Sequence, residues 1–144
     1  MLIFNVEISY SISYYEISIL RKNTGNITEN EGNDTMELHI TCIPGDGIGP
    51  EIVRETKKVL DKVAHKYGHK MIYKDILMGG ASIDVHGIPL TEEAIADAKA
   101  ADAVLMGSIG GNTTTSPWYK LPPEKRPEAG LLAMRKALNL FANL

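Results

Sequence analysis

Three short apolar runs, each closed by a glycine-bearing turn and each followed by a segment with helical spacing, restrict this chain more than any other feature. Leu38 to Ile43 ends at Pro44-Gly45, the pattern of a buried strand. Pro50 then falls where a helix's first residue would sit, with its missing N–H harmless there, and Glu51 favours the positive end of that helix. Ile52, Val53, Thr56, Val59, Leu60, Val63 and Ala64 recur at helical spacing up to Tyr67, and Gly68 ends the helix. Met71 to Leu77 forms a second strand, partly alternating. Met78 to Leu90 reads as a loop holding Gly79, Gly80, Gly87 and Pro89. Thr91 is an N-cap with Glu92 and Glu93 in the first turn, and that helix runs to about Ala101. Ala103 to Met106 is the third strand. After a long loop, Leu131, Met134, Leu138 and Phe141 share one face of a third helix. The order β-α-β-α-β-loop-α predicts an α/β fold with parallel strands and right-handed crossovers.

The 144 residues suffice for one domain around one core. A net charge of −3 offers no basic field for nucleic acid. No run reaches the ~20 apolar residues of a membrane span. The one cysteine, Cys42, lies in a strand, so a disulfide framework or cysteine zinc site within the chain is excluded. Cys42 reads as a small core residue, and a reducing, cytoplasmic setting fits. Residues 1–35 stand apart. Met1 to Leu20 is rich in Ile, Ser and Tyr and lacks the basic start of a secretory signal. Asn23 to Thr35 has the composition of a flexible polar linker. Met36 opens a fresh segment directly before the first strand. We therefore expect residues 1–35 to be an extension, upstream of a true start at Met36, and residues 36–144 to be the domain. A real N-terminal strand or arm is the competing reading.

Several residue groups carry possible chemistry. Gly45-x-Gly47-x-Gly49-Pro50 approximates a dinucleotide fingerprint with its last glycine one residue early, and it equally suits a tight turn needing positive φ. Amides at that helix start can face a polar ligand. Gly107-Ser108-Ile109-Gly110-Gly111 follows a strand's C-terminal end, where ligands of open α/β sheets collect. The loop from there to Gly130 is longer than a connection needs. Its Trp118 and Tyr119 either cover a ligand or anchor the loop. Leu131 and Arg135 are four apart on a helix and so share a face, an alkyl surface beside a cation. A guanidinium can hold a carboxylate by paired hydrogen bonds, although a solvated helix arginine would look the same. Asp46 and Asp84 fall in turns, where Asp caps backbone amides. His39, His65, His69 and His86 show no metal spacing.

Four blocks, taken in order, carry a resemblance. They are Pro44-Gly45-Asp46-Gly47-Ile48-Gly49-Pro50-Glu51, Gly79-Gly80-Ala81-Ser82-Ile83-Asp84, Gly107-Ser108-Ile109-Gly110-Gly111, and Arg126 to Lys136 running into Leu140-Phe141-Ala142-Asn143-Leu144. With these, residues 38–144 resemble the opening portion of the β-decarboxylating dehydrogenase family, and within it the 3-isopropylmalate dehydrogenases. The resemblance implies a partial parallel-sheet β-α-β-α-β-α unit of that fold. It implies that Arg135 binds the malate carboxylates and that Leu131 and Leu132 meet the isopropyl group. Isocitrate-type members place polar residues there, and two leucines would leave a third carboxylate unpaired. Ile48, Gly110, Gly111 and Glu128 match positions at the NAD-binding loops.

The activity implied is NAD-dependent oxidative decarboxylation of 3-isopropylmalate in leucine biosynthesis, with Mg²⁺ or Mn²⁺, in a cytoplasmic homodimer. The family's further substrate arginines, catalytic tyrosine and lysine and metal-binding aspartates would lie beyond Leu144, so residues 1–144 alone are expected to be inactive. The loop Asn112 to Leu121 is longer than the family's usual Pro-Lys-Trp version, and its NAD contacts are not carried over. The alternatives are a portion of an isocitrate, homoisocitrate or tartrate dehydrogenase, or a non-catalytic remnant. Missing sheet strands would leave an open edge and exposed apolar helix faces.

Overall fold

The computed structural model describes residues 3–5, 18–21 and 35–140. One sheet is built from β1 (Ile3–Asn5), β2 (Ser18–Arg21), β3 (Glu37–Gly45), β4 (Lys70–Asp75) and β5 (Ala103–Ser108), in the order β1-β2-β5-β3-β4. β3 is parallel to both β4 and β5, with Cys42 opposite Asp75 on one side and Leu105 on the other. The predicted α/β unit is therefore present. β2 lies antiparallel against β5, and β1 against β2. β2 thus covers the side of β5, and the outer strands among the described residues are β1 and β4. The remainder of the expected extension and linker lies outside the described residues, as does Phe141.

The sheet is covered on both faces, which explains why β3 reads as a continuous apolar run. Side chains alternate along a strand. Ile40 and Cys42 of β3 and Leu105 of β5 pack with Val53 and Leu60 of α1 (Gly49–Tyr67). Ile43 and Val104 point the other way, to Ala94 and Ala98 of α3 (Glu92–Ala100) and Met134 of α4 (Pro127–Ala137). Ile43 and Leu105 are fully buried, each worth about 1.5–3 kcal/mol of apolar burial. α1 turns Val59, Val63 and Tyr67 outward, so an apolar helix face is exposed, as expected.

The helix boundaries follow from local chemistry. Pro50 sits in the first turn of α1, and Gly68, at φ 73°, closes it in the left-handed conformation. His69 N–H returns to the Ala64 carbonyl at 2.8 Å, satisfying one of the helix's orphan acceptors. The Thr91 hydroxyl accepts from Ala94 N–H at 3.2 Å, as an N-cap should.

Two expectations are corrected. The stretch Met78 to Leu90 is not all loop, because α2 (Gly80–His86) lies inside it. The segment is only 7 residues, flanked by glycines, so it is too short to show a helical period. The last helix stops at Ala137 rather than running through Phe141. Asn139 takes φ 55°. Its N–H reaches the Lys136 carbonyl at 3.1 Å and Leu140 N–H reaches that of Arg135 at 2.9 Å. This paired closure ends the helix as Gly68 ends α1.

Cys42 is 0% exposed. Burial pushes its thiol up to about 11, so it stays neutral and packs as a small apolar group. The folded chain is expected to show no reaction with a thiol reagent at pH 8, and one reactive thiol after denaturation. The Ser82 hydroxyl is buried without a hydrogen-bond partner among the described residues. Ser82→Ala is therefore expected to be neutral or to raise stability by about 1 kcal/mol in a urea titration.

Candidate functional site

Because β3, β4 and β5 are parallel, their C-terminal ends lie along one edge of the sheet. Each leads into a glycine-bearing turn, at Gly45–Gly49, Gly79–Gly80 and Gly107–Gly111. The first and last of these touch backbone to backbone. A Cβ on Gly45, which sits at φ +72°, would lie 2.0 Å from the Ser108 carbonyl oxygen. Only glycine permits that approach.

Asp46 ties the three turns together. It is 3% exposed. Its Oδ2 accepts the N–H of Gly80 at 2.8 Å and of Gly110 at 2.7 Å, and its Oδ1 accepts that of Ala81 at 2.7 Å. Its own N–H donates to the Ser108 carbonyl at 2.6 Å. A buried carboxylate is tolerated when hydrogen bonds replace its hydration, and these three donors do so. Asp46 caps amides as expected, but across 34 to 64 residues of chain rather than within its own turn. Asp84, expected in a turn, lies in α2 instead and accepts the Trp118 indole N–H at 2.8 Å.

The long loop folds back onto this edge. The Trp118 ring lies flush against Gly80, where a Cβ would come within 2.3 Å of it. Asn112 Oδ1 accepts the N–H groups of Thr114 and Thr115 at 2.9 and 3.1 Å, a local turn at the loop's start. The loop is thus anchored on α2 by its tryptophan. Tyr119 donates its hydroxyl to Glu128 Oε1, in the first turn of α4. That hydrogen bond, with burial, holds the phenol above its usual range.

The expected cofactor residues fall around this network. Gly110 is buried and donates to Asp46, whereas Gly111 beside it is exposed. Glu128 is half-buried, with Oε1 3.0 Å from where a Gly110 Cβ would be. Ile48 is 40% exposed at the residue before α1. The structure therefore brings Gly110, Gly111 and Glu128 together and sets Ile48 on the neighbouring turn. The expected substrate residues all lie on α4, which packs closely where Gly130 meets the Pro89 carbonyl. Leu131 is half-buried against the core. Leu132 is 67% exposed. Arg135 is half-buried, and its side chain makes no hydrogen bond or ion pair among the described residues. Leu131 and Arg135 share a face, while Leu132 turns outward. Among the described residues, no group of three or more His, Cys, Asp and Glu is placed to hold a metal.

The sequence reading missed two features: the reach of Asp46 across three loops, and the pairing of Tyr119 with Glu128. A carboxylate between two glycines was a partial signal for the first, since glycines let backbones close around it. Nothing local signalled the second.

A family profile described as isocitrate/isopropylmalate dehydrogenase matches residues 39–144. The 3-isopropylmalate dehydrogenase of Nitratidesulfovibrio vulgaris is 51% identical over 109 residues, covering 76% of this chain and 29% of that protein. That of Wolinella succinogenes is 53% identical over 108 residues, 75% of this chain and 29% of that protein. A solved β-decarboxylating dehydrogenase from Thermococcus kodakarensis, in its apo form, is similar with a TM-score of 0.55 and 30% identity, over 72% of this chain and 27% of its own. The chain spans about 29% of the length of the curated relatives it matches.

Asp46→Ala leaves buried N–H groups unpaired, and Asp46→Asn replaces one acceptor oxygen with a donor. We expect losses of about 3 kcal/mol or more for alanine and about 2 for asparagine in urea denaturation. Amide exchange should quicken at Gly80, Ala81 and Gly110. An unchanged midpoint for the alanine substitution would contradict the role given to this carboxylate.

Proposed function

Because this chain belongs to the isocitrate/isopropylmalate dehydrogenase family over residues 39–144, we propose that it forms the N-terminal part of an NAD-dependent 3-isopropylmalate dehydrogenase of leucine biosynthesis. The observation that carries this reading is Arg135, half-buried and without an anion partner among the described residues, one helical turn from Leu131. A guanidinium in that state suits the carboxylates of a malate. Leu131 and Leu132 offer the branched alkyl group an apolar neighbour and offer a third carboxylate nothing, which argues against an isocitrate-type substrate.

Ile48, Gly110, Gly111 and Glu128 would hold NAD, which when bound takes up the hydride. Their fit rests on the exposed Ile48 and Gly111 at the carboxyl ends of parallel strands. In this reading Glu128 is an ionisable group that faces the cofactor. The described residues do not fit Mg²⁺ or Mn²⁺, and the metal's ligands would come from outside them. A cytosolic homodimer is part of the same reading, on family resemblance.

The test uses the protein as its gene encodes it, assayed for NADH formation with 3-isopropylmalate, NAD and Mn²⁺. Arg135→Lys is expected to raise KM for 3-isopropylmalate about ten- to a hundredfold, the size of a lost charged hydrogen bond. Leu132→Ser should lower kcat/KM for 3-isopropylmalate about tenfold relative to malate. Residues 1–144 assayed alone should form no NADH. Unchanged kinetics for Arg135→Lys would overturn the substrate assignment.

A further inference from the structure

We propose that Tyr119 is a positioning residue, which fixes the Glu128 carboxylate against Gly110 and so sets the geometry in which Glu128 meets NAD. This deepens the cofactor reading above and rests on it. Three contacts meet at one point. The Tyr119 hydroxyl donates to Glu128 Oε1. A Cβ on Gly110 would lie 3.0 Å from that Oε1 and 3.1 Å from the Tyr119 oxygen. Gly110 itself is tied through its N–H to Asp46 at 2.7 Å. Among the described residues Glu128 Oε2 accepts no hydrogen bond, so one oxygen is committed to the protein and the other is left for a ligand donor.

The phenol is held from several sides. Trp118, its neighbour in sequence, is bonded to Asp84 and pressed on Gly80. The Arg126 guanidinium lies 5.9 Å from the Tyr119 ring centroid and donates through Nε to the Leu121 carbonyl at 2.9 Å. Leu121 N–H closes the turn onto the Trp118 carbonyl at 3.1 Å. The Asn112–Leu121 loop therefore works as a clamp whose inner surface is one tyrosine hydroxyl. A free glutamate would sample several rotamers, and ordering it on binding costs entropy. A carboxylate already fixed by a phenol avoids that cost.

The experiment is a double-substitution cycle on the protein as its gene encodes it, with NAD affinity read by titration calorimetry. Urea midpoints confirm that each variant folds. Glu128→Gln should weaken NAD binding about tenfold, and Tyr119→Phe about three- to tenfold. The double substitution should be no weaker than Glu128→Gln alone, because Tyr119 acts through that carboxylate. In turnover, Tyr119→Phe should raise KM for NAD with kcat within about twofold, a split that general loosening would not produce. Additive losses in the cycle, or full affinity in Tyr119→Phe alongside a weakened Glu128→Gln, would overturn the positioning role and leave the cofactor reading standing. Undiminished affinity in Glu128→Gln would instead overturn the cofactor reading, and this proposal with it.

Discussion

The arrangement at the sheet's carboxyl edge depends on one buried carboxylate. Asp46 accepts three backbone N–H groups that belong to two other turns, and nothing else in the described chain links all of them. Charge-assisted bonds of this kind are roughly twice as strong as neutral ones. They also fix direction, because Oδ2 is shared between Gly80 and Gly110. The consequence is geometric. Gly110 is held relative to α2 through Asp46, while Trp118 fastens the Tyr119 loop to α2 directly.

The wider scaffold makes this edge rigid. β3 is the central strand of the parallel trio, covered by α1 on one face and by α3 and α4 on the other. The side chains of Ile43 and Leu105 leave no exposed surface, and interiors packed this way transmit position rather than absorb displacement. α4 thus carries Arg135 on a helix whose seat is set by Met134 and Leu131 packing against the core.

Much of this was legible in the residues. Apolar runs ended by glycine or proline located β3, β4 and β5, and the absence of alternation at Ile40 to Ile43 anticipated burial on both faces. Pro50, Gly68 and Thr91 marked helix ends correctly because capping is local chemistry. What was missed was non-local or too short. α2 spans two turns between glycines, so periodicity had nothing to register. α4 ends early because Asn139 accepts the left-handed conformation, although Leu138 continues the apolar spacing. The partnership of Tyr119 with Glu128 depends on a loop folding back across nine residues, and no spacing rule encodes that. The four blocks opening at Pro44, Gly79, Gly107 and Arg126 named the dehydrogenase family because their order is specific even where each alone is weak.

Trp118 is the only tryptophan of the chain, and its indole is spent on fastening the loop to α2. The molecule therefore carries a single natural chromophore of that kind at the place where the clamp closes. Tryptophan emission from this chain reports on the docking of this loop, set by the contact between one ring and one residue without a side chain.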